Sequence, residues 1–278
     1  MQPRVPVSPE FERLIAGHAE VSITRVALEI AADSYPDLDV DLYLDRIDAL
    51  ADRVRDRCRP SASLRDILAQ INWVLYVEED FQGNVDEYND PRNSFLNEVL
   101  DRGLGIPISL AVVYRAVGRR LGLDIEGANL PMHFMLRIHD QGATWFIDAF
   151  HSGAILDLDR CQQRLSILAQ RPIVLAPEMT APCPAGTVIT RMLRNLKAIF
   201  TNEDDLASLL LVQRRLVALD PDNWGELRDL GILCARLGLL SEGAESLEEA
   251  LRLVPPRARA SEIERVLEGV WRELARWN

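Results

Sequence analysis

Hydrophobic positions along this chain fall mostly at helical spacing. From Glu10 to Ala32, Phe11, Leu14 and Ile15 and then Ile23, Val26, Ala27 and Ile30 follow that period. Asp37–Arg57 repeats it with Leu42, Leu44, Ile47, Leu50, Ala51 and Val54. Ser63 precedes a further predicted helix, Leu64 to Val77, with Asp66 as a favourable charge in its first turn. The polar stretch Glu79–Asn97, with four asparagines, interrupts the pattern and reads as a surface loop or the wall of a site. A short helix is expected over Phe95–Leu100. A Gly105-Ile106-Pro107 turn then opens an apolar helix, Ile108 to Leu121, stopped by Gly122. Leu110, Val113, Tyr114 and Val117 share one face of it, as in a helix half buried against a sheet.

The period then changes to two. Met132–Ile138 and Thr144–Ile147 read as strands, the first with one packed face. Ala154–Leu158 is a third apolar run, and Asp159 is placed to cap a helix through Leu168. The proline-rich segment 176–186 marks a linker, and everything beyond it is helical in pattern. In that last part Ala218-Leu219-Asp220-Pro221 recurs loosely as Arg252-Leu253-Val254-Pro255, so the two prolines lie 34 residues apart. Leu227, Leu230, Gly231, Ala235, Gly238, Leu240, Ala244, Leu247, Ala250 and Leu251 fill the unit between them, which resembles a tetratricopeptide repeat. Met192–Pro221 is a weaker first unit and Ser261–Trp277 a terminal capping helix. The predicted domains are therefore a helical extension (1–62), an α+β core with a small antiparallel sheet (63–176), a linker (177–186) and an all-α array (187–278).

Composition adds limits. The net charge of −12 disfavours a nucleic acid or an anionic membrane as partner. No apolar run reaches the length of a membrane span, and MQPRVPVSPEF has no signal-peptide h-region, so a cytoplasmic protein is expected. The four cysteines form no CxxC pair and read as free thiols. No cofactor motif is present.

The chemistry concentrates in residues 102–151. A helix, a strand beginning at His133 and a strand ending at Asp148 follow the chain order of a papain-like or transglutaminase-like core, with His as base and Asp as its orienter. Four ordered motifs are Asn93-Ser94-Phe95-Leu96-Asn97, Gly105-Ile106-Pro107-Ile108-Ser109-Leu110, Leu130-Pro131-Met132-His133-Phe134 and Ile147-Asp148-Ala149-Phe150-His151. With the repeats behind them they resemble the SirB-type family, bacterial transglutaminase-like proteins with C-terminal tetratricopeptide repeats. That resemblance implies a transglutaminase-like core but no defined reaction. Active enzymes of this fold carry a Cys fifteen residues before the helix-ending Gly; the same count from Gly122 reaches Pro107, which has no nucleophile. His133 and Asp148 fall where the base and the orienting acid would lie.

Three readings follow. The first is a non-catalytic scaffold, with regulation as a further role open to it, that holds a protein or peptide in a vestigial cleft, with Arg92, Asn93, Asn97 and His151 as its binding residues. The second is an acyl-transfer or amide-hydrolysing enzyme with Ser109 as nucleophile, His133 as base and Asp148 as orienter. The third is metal binding by His133, Asp148 and His151. Each residue also has a plain structural role open to it: Ser109 and Asn93 as backbone caps, and His133 as a hydrogen-bonded core group.

Overall fold

The computed structural model of the chain describes residues 6–255 and 260–277. Its helices are α1 (Pro9–Ile15), α2 (Ile23–Ala31), α3 (Val40–Arg57) and α4 (Leu64–Trp73), the last followed by a π turn at Val74–Glu78. Next come β1 (Gln82–Gly83), α5 (Leu96–Arg102), β2 (Leu104–Gly105) and α6 (Pro107–Arg120). Strands β3 (Glu126–Asn129), β4 (Phe134–Asp140), β5 (Ala143–Asp148) and β6 (Ala154–Leu156) lead to α7 (Leu158–Ala169). Then follow α8 (Ala185–Glu203), α9 (Leu206–Leu219), α10 (Trp224–Arg236), α11 (Leu240–Leu253) and α12 (Ala260–Trp277). Two compact units emerge: residues 18–192, and residues up to 17 together with those from 193. Among the described residues no helix is long and apolar enough to cross a membrane.

In the first unit β3–β6 form one antiparallel sheet in sequence order, while β1 and β2 make a separate two-residue parallel pair. Strand β4 packs against α6, and on its second face Met135 is buried while Arg137 is half-buried and His139 exposed. Met135 joins Phe146, Leu156 and the α7 residues Cys161 and Leu165 in one apolar cluster. The predicted one-sided strand is thus corrected at Met135, which α7 covers, while His139 on the same face stays exposed. Strand β3 had no signal in the sequence, because Glu126-Gly127-Ala128-Asn129 shows no apolar alternation.

Local chemistry sets the ends of the helices. Ser63 and Asp66 form a reciprocal capping box at α4. Asp157, rather than the expected Asp159, caps α7 by accepting from the backbone N–H of Arg160. The expected helix to Val77 ends as an α-helix at Trp73 and widens into the π turn.

The expected domain limits also change. Segment 177–186 is not a free linker: Cys183 bridges Gly127, and Arg137 donates to the Thr180 carbonyl at 2.8 Å. Both contacts satisfy backbone groups of the sheet's neighbourhood. Residues up to 17 depart from the predicted 1–62 extension because Phe11 is buried with the repeats. The guanidinium of Arg215 lies 4.7 Å over the Phe11 ring and donates to Ser8 Oγ at 2.8 Å. Residues 1–5 of that extension lie outside the described residues.

In the second unit, Leu227, Leu230 and Cys234 of α10 pack on Ala244, Leu247 and Ala250 of α11, with Ile263 and Val270 of α12 closing the cluster. The small residues explain the close approach. A Cβ on Gly231 would meet Leu247 Cγ at 2.5 Å and the Gly243 carbonyl oxygen at 3.0 Å. Gly231→Ala gains helix propensity of about 1 kcal/mol but overpacks this contact. The expected result is a net loss of up to about 2 kcal/mol, read as a lower guanidinium midpoint; a raised midpoint would contradict the packing.

Candidate functional site

Helix α6 begins where it does for three local reasons. Ile106 is extended, Pro107 takes the first helical position without wasting an N–H, and Ser109 Oγ accepts from the Ile106 N–H at 3.0 Å. The same hydroxyl donates to the Asn93 carbonyl at 2.6 Å. Ser109 is fully buried.

Asn93 is the hub of the preceding loop. Its Nδ2 donates to the carbonyls of Glu87 at 2.6 Å and Tyr88 at 3.3 Å, and its Oδ1 accepts from Asn84 Nδ2 at 3.1 Å. Residues 84–93 are thereby tied to the start of α6. Arg92 points to solvent and pairs with Asp90. Asn97 is buried, and its Oδ1 has no hydrogen-bond partner among the described residues.

The second cluster lies at one end of the sheet. The antiparallel register sets Leu136 opposite Ile147, so the start of β4 and the end of β5 coincide. That register brings His133 to Asp148: its Nε2–H donates to Oδ1 at 2.9 Å. A 3-10 turn, Ala149–His151, then folds His151 back so that its Nδ1–H donates to Oδ2 at 2.9 Å, with its backbone N–H 3.3 Å from Oδ1. Arg164, from α7, donates to Oδ2 at 2.6 Å. Asp148 is fully buried, His133 nearly so, and the His151 side chain is 44% exposed, so the cluster opens to solvent through His151.

Phe150 packs edge-on to His133 (6.1 Å between centroids), His151 (5.2 Å) and Tyr88 (6.3 Å). Its ring rests on Gly83, where a Cβ would meet Phe150 Cε2 at 2.5 Å. Tyr88, Val85 and Met132 all expose much of their side chains.

The electrostatics follow from this geometry. Burial pushes the Asp148 carboxyl up, but the hydrogen bond and charge of His133, with Arg164 and His151, overcome it and hold the group well below the usual carboxylate range. Burial, with the Asp148 charge behind it, pushes the Cys161 thiol up to about 12. Burial also raises Cys58 and Cys183, and takes Cys234 to about 12. None of the four thiols is in an environment that favours thiolate.

His133, Asp148 and His151 therefore meet, as their order in the sequence suggested, and their ligand-type atoms lie within 4.8 Å of one another. Ser109 and Asn93 belong to a different network, and no hydrogen bond joins Ser109 to His133. Arg164 and Phe150 join the site beyond the predicted residues, Phe150 from inside the Asp148–His151 motif. Arg164 lies sixteen residues on, in another element, and carries no local signal.

A family profile described as transglutaminase-like superfamily matches residues 41–194, more than half of the chain, and a tetratricopeptide-repeat profile matches residues 196–268. A UPF0162 protein of Xylella fastidiosa (strain Temecula1) is 35% identical over 84% of this chain and 84% of its own length. Another, from Vibrio cholerae, is 29% identical over 59% and 61%. F-box only protein 21 of Mus musculus is 39% identical over 34% of this chain and 17% of its own length.

Removing the charge at the hub gives a direct test. Asp148→Asn leaves four donors facing one acceptor and an NH2 group, and the expected cost is about 3–5 kcal/mol in urea unfolding. A carboxylate depressed on folding stabilises above its unfolded pKa, near 3.9, and loses that contribution as pH falls through its lower folded value. The stability gap between wild type and Asp148→Asn is therefore flat above about pH 5 and narrows below about pH 4. A gap that widens on acidification would contradict this account.

Proposed function

This chain belongs to the transglutaminase-like superfamily, with tetratricopeptide repeats behind that domain, and from that premise we propose that it is a non-catalytic, cytoplasmic scaffold that holds a protein or peptide. The observation that carries the proposal is the start of α6. By the fifteen-residue count from Gly122, Pro107 takes the place of the nucleophile, and the Ser109 hydroxyl is held by the Asn93 and Ile106 carbonyls inside the core. A serine nucleophile needs its base within hydrogen-bond reach; here it closes a helix cap. None of the four thiols compensates, since burial raises every one.

What remains is a binding surface. The half-exposed His151 edge, Phe150, Tyr88, Val85 and Met132 offer apolar and aromatic area beside a few fixed polar groups, the mix that peptide and ligand sites use. The repeats add a second helical surface, short for a groove of its own. Protein partners fit both, and the net charge of −12 disfavours nucleic acid. A segment similar to about a third of this chain also lies inside the much longer mouse F-box relative, which supports use as a module. Asn97 and Arg92 belong to this reading only as the wall behind α5 and the rim, and His133 and Asp148 as its rigid floor.

Acyl transfer is the competing reading, and both are tested together. The full chain is assayed for hydrolysis of activated esters and for amine incorporation into glutamine peptides, beside Ser109→Ala and His133→Ala. All three are expected to give the same background rate. Turnover that disappears in folded Ser109→Ala would overturn the proposal. Ser109→Ala is expected instead to cost about 1–3 kcal/mol of stability, because it leaves the buried Ile106 N–H and Asn93 carbonyl without their partner. In the binding arm, immobilised wild type in native extract is expected to retain a protein that Tyr88→Ala loses; retention of none would count against the scaffold.

A further inference from the structure

The cluster around Asp148 holds one more possibility, which goes beyond the scaffold reading and does not depend on it. We propose that His133, Asp148 and His151 form a zinc site with three protein ligands and an open fourth position. The donor set is two imidazoles and one carboxylate, the nitrogen-rich mixture that suits zinc rather than magnesium or calcium. His133 Nε2, Asp148 Oδ1 and His151 Nδ1 are the ligand atoms, and one atom from each residue already lies within 4.8 Å of the other two.

Zinc at about 2.0–2.1 Å from each ligand in tetrahedral geometry separates adjacent ligand atoms by roughly 3.3 Å. His133 Nε2 now lies 2.9 Å from Oδ1, and His151 Nδ1 2.9 Å from Oδ2. The His133–Oδ1 contact opens by about 0.4 Å, and His151 Nδ1, now on Oδ2, turns toward the Oδ1 side. Ligation takes from each ring nitrogen the proton it now donates to Asp148, so that the imidazole presents a lone pair to the ion.

Arg164 is the feature that needs reconciling with a dication. It donates to Oδ2, whereas His133 donates to Oδ1. A carboxylate has about four lone-pair sites, so Oδ1 can ligate while Arg164 keeps Oδ2 as an outer-shell partner that fixes the carboxylate's orientation. Its positive charge lowers zinc affinity relative to a site without it and favours an anionic fourth ligand. That position faces the side where His151 is half exposed, so water, hydroxide or an anionic side chain of a bound protein has access to it.

The fold supplies the rigidity such a site requires. His133 is fixed by the entry to β4, Asp148 by its place in β5 and His151 by the 3-10 turn, with Phe150 edge-on to both rings. The other two histidines serve as internal controls. His139 is exposed on β4 and bonded to Thr144, and His18 is exposed near the start of the same unit.

The test uses the full chain, purified without a histidine tag and stripped with a chelator. Zinc is titrated in competition with a chromophoric chelator, and cobalt(II) is titrated separately for its visible spectrum. The expected result is about one zinc per chain at micromolar affinity or tighter, and cobalt bands of a four-coordinate nitrogen–oxygen site. His151→Gln removes a half-exposed ligand and spares the buried pair, so its fold is preserved, as circular dichroism would check. It is expected to weaken zinc binding by at least about tenfold. The double variant His18→Gln/His139→Gln is expected to bind as wild type does. The proposal is overturned if no zinc binds at concentrations about 100 times a micromolar Kd, if His151→Gln binds like wild type, or if only the His18/His139 variant loses binding, which marks adventitious surface zinc.

Discussion

The first unit of this protein is arranged around a buried negative charge. Asp148 is fully removed from solvent, and an isolated carboxylate in such a place would cost several kcal/mol or take up a proton. It does neither, because four donors surround its two oxygens: a ring N–H from His133, a ring and a backbone N–H from His151, and the Arg164 guanidinium. Those donors come from the entry to β4, the turn after β5 and helix α7. One carboxylate thus fixes the end of the sheet, the turn beyond it and the helix that covers its second face. The edge-on contacts of Phe150 with both imidazoles depend on that arrangement, and so does the seat of its ring on Gly83.

A second polar network does corresponding work at the start of α6. Ser109, Asn93 and Asn84 satisfy one another and the backbone of residues 84–93, which would otherwise be a polar loop with buried orphan groups. The two networks abut through α6, which packs against both β4 and the 3-10 turn, yet no hydrogen bond joins Ser109 to His133. In a nucleophilic enzyme of this fold the helix start and the His–Asp pair act as one unit. Here each is closed on itself.

How much of this could be read from the sequence follows from the range of each interaction. His133, Asp148 and His151 were legible because strand periodicity fixes which end of each strand carries them, and because Asp148 and His151 stand three residues apart. The helix–strand–strand order and the repeats were legible for the same reason: period and punctuation are local. Arg164 was not legible, since the contact depends on α7 crossing the second face of the sheet, and nothing near Arg164 records that crossing. The one-sided reading of β4 failed for the same cause: Met135 looks like an outward residue until α7 is in place. Helix α1 was assigned to the wrong neighbours because Phe11 and Arg215 meet across about two hundred residues, and no periodicity spans that distance.

The retained His–Asp pair does not by itself argue for catalysis. Once a buried carboxylate is satisfied by several donors, loss of any one leaves charge or donors unpaired, so the pair is stabilising whether or not a reaction depends on it. Stability does not explain the exposed side of the cluster in the same way. His151 could satisfy Asp148 from a fully buried position, yet its ring is half exposed, and Tyr88, Val85 and Met132 expose apolar surface in the same unit. Met132 does so in a left-handed backbone conformation, at φ +62°, that a bulky side chain rarely adopts. An exposed ring and a strained, exposed methionine directly before His133 add nothing to the core. Burial and hydrogen bonding, which account for His133 and Asp148, do not account for these two.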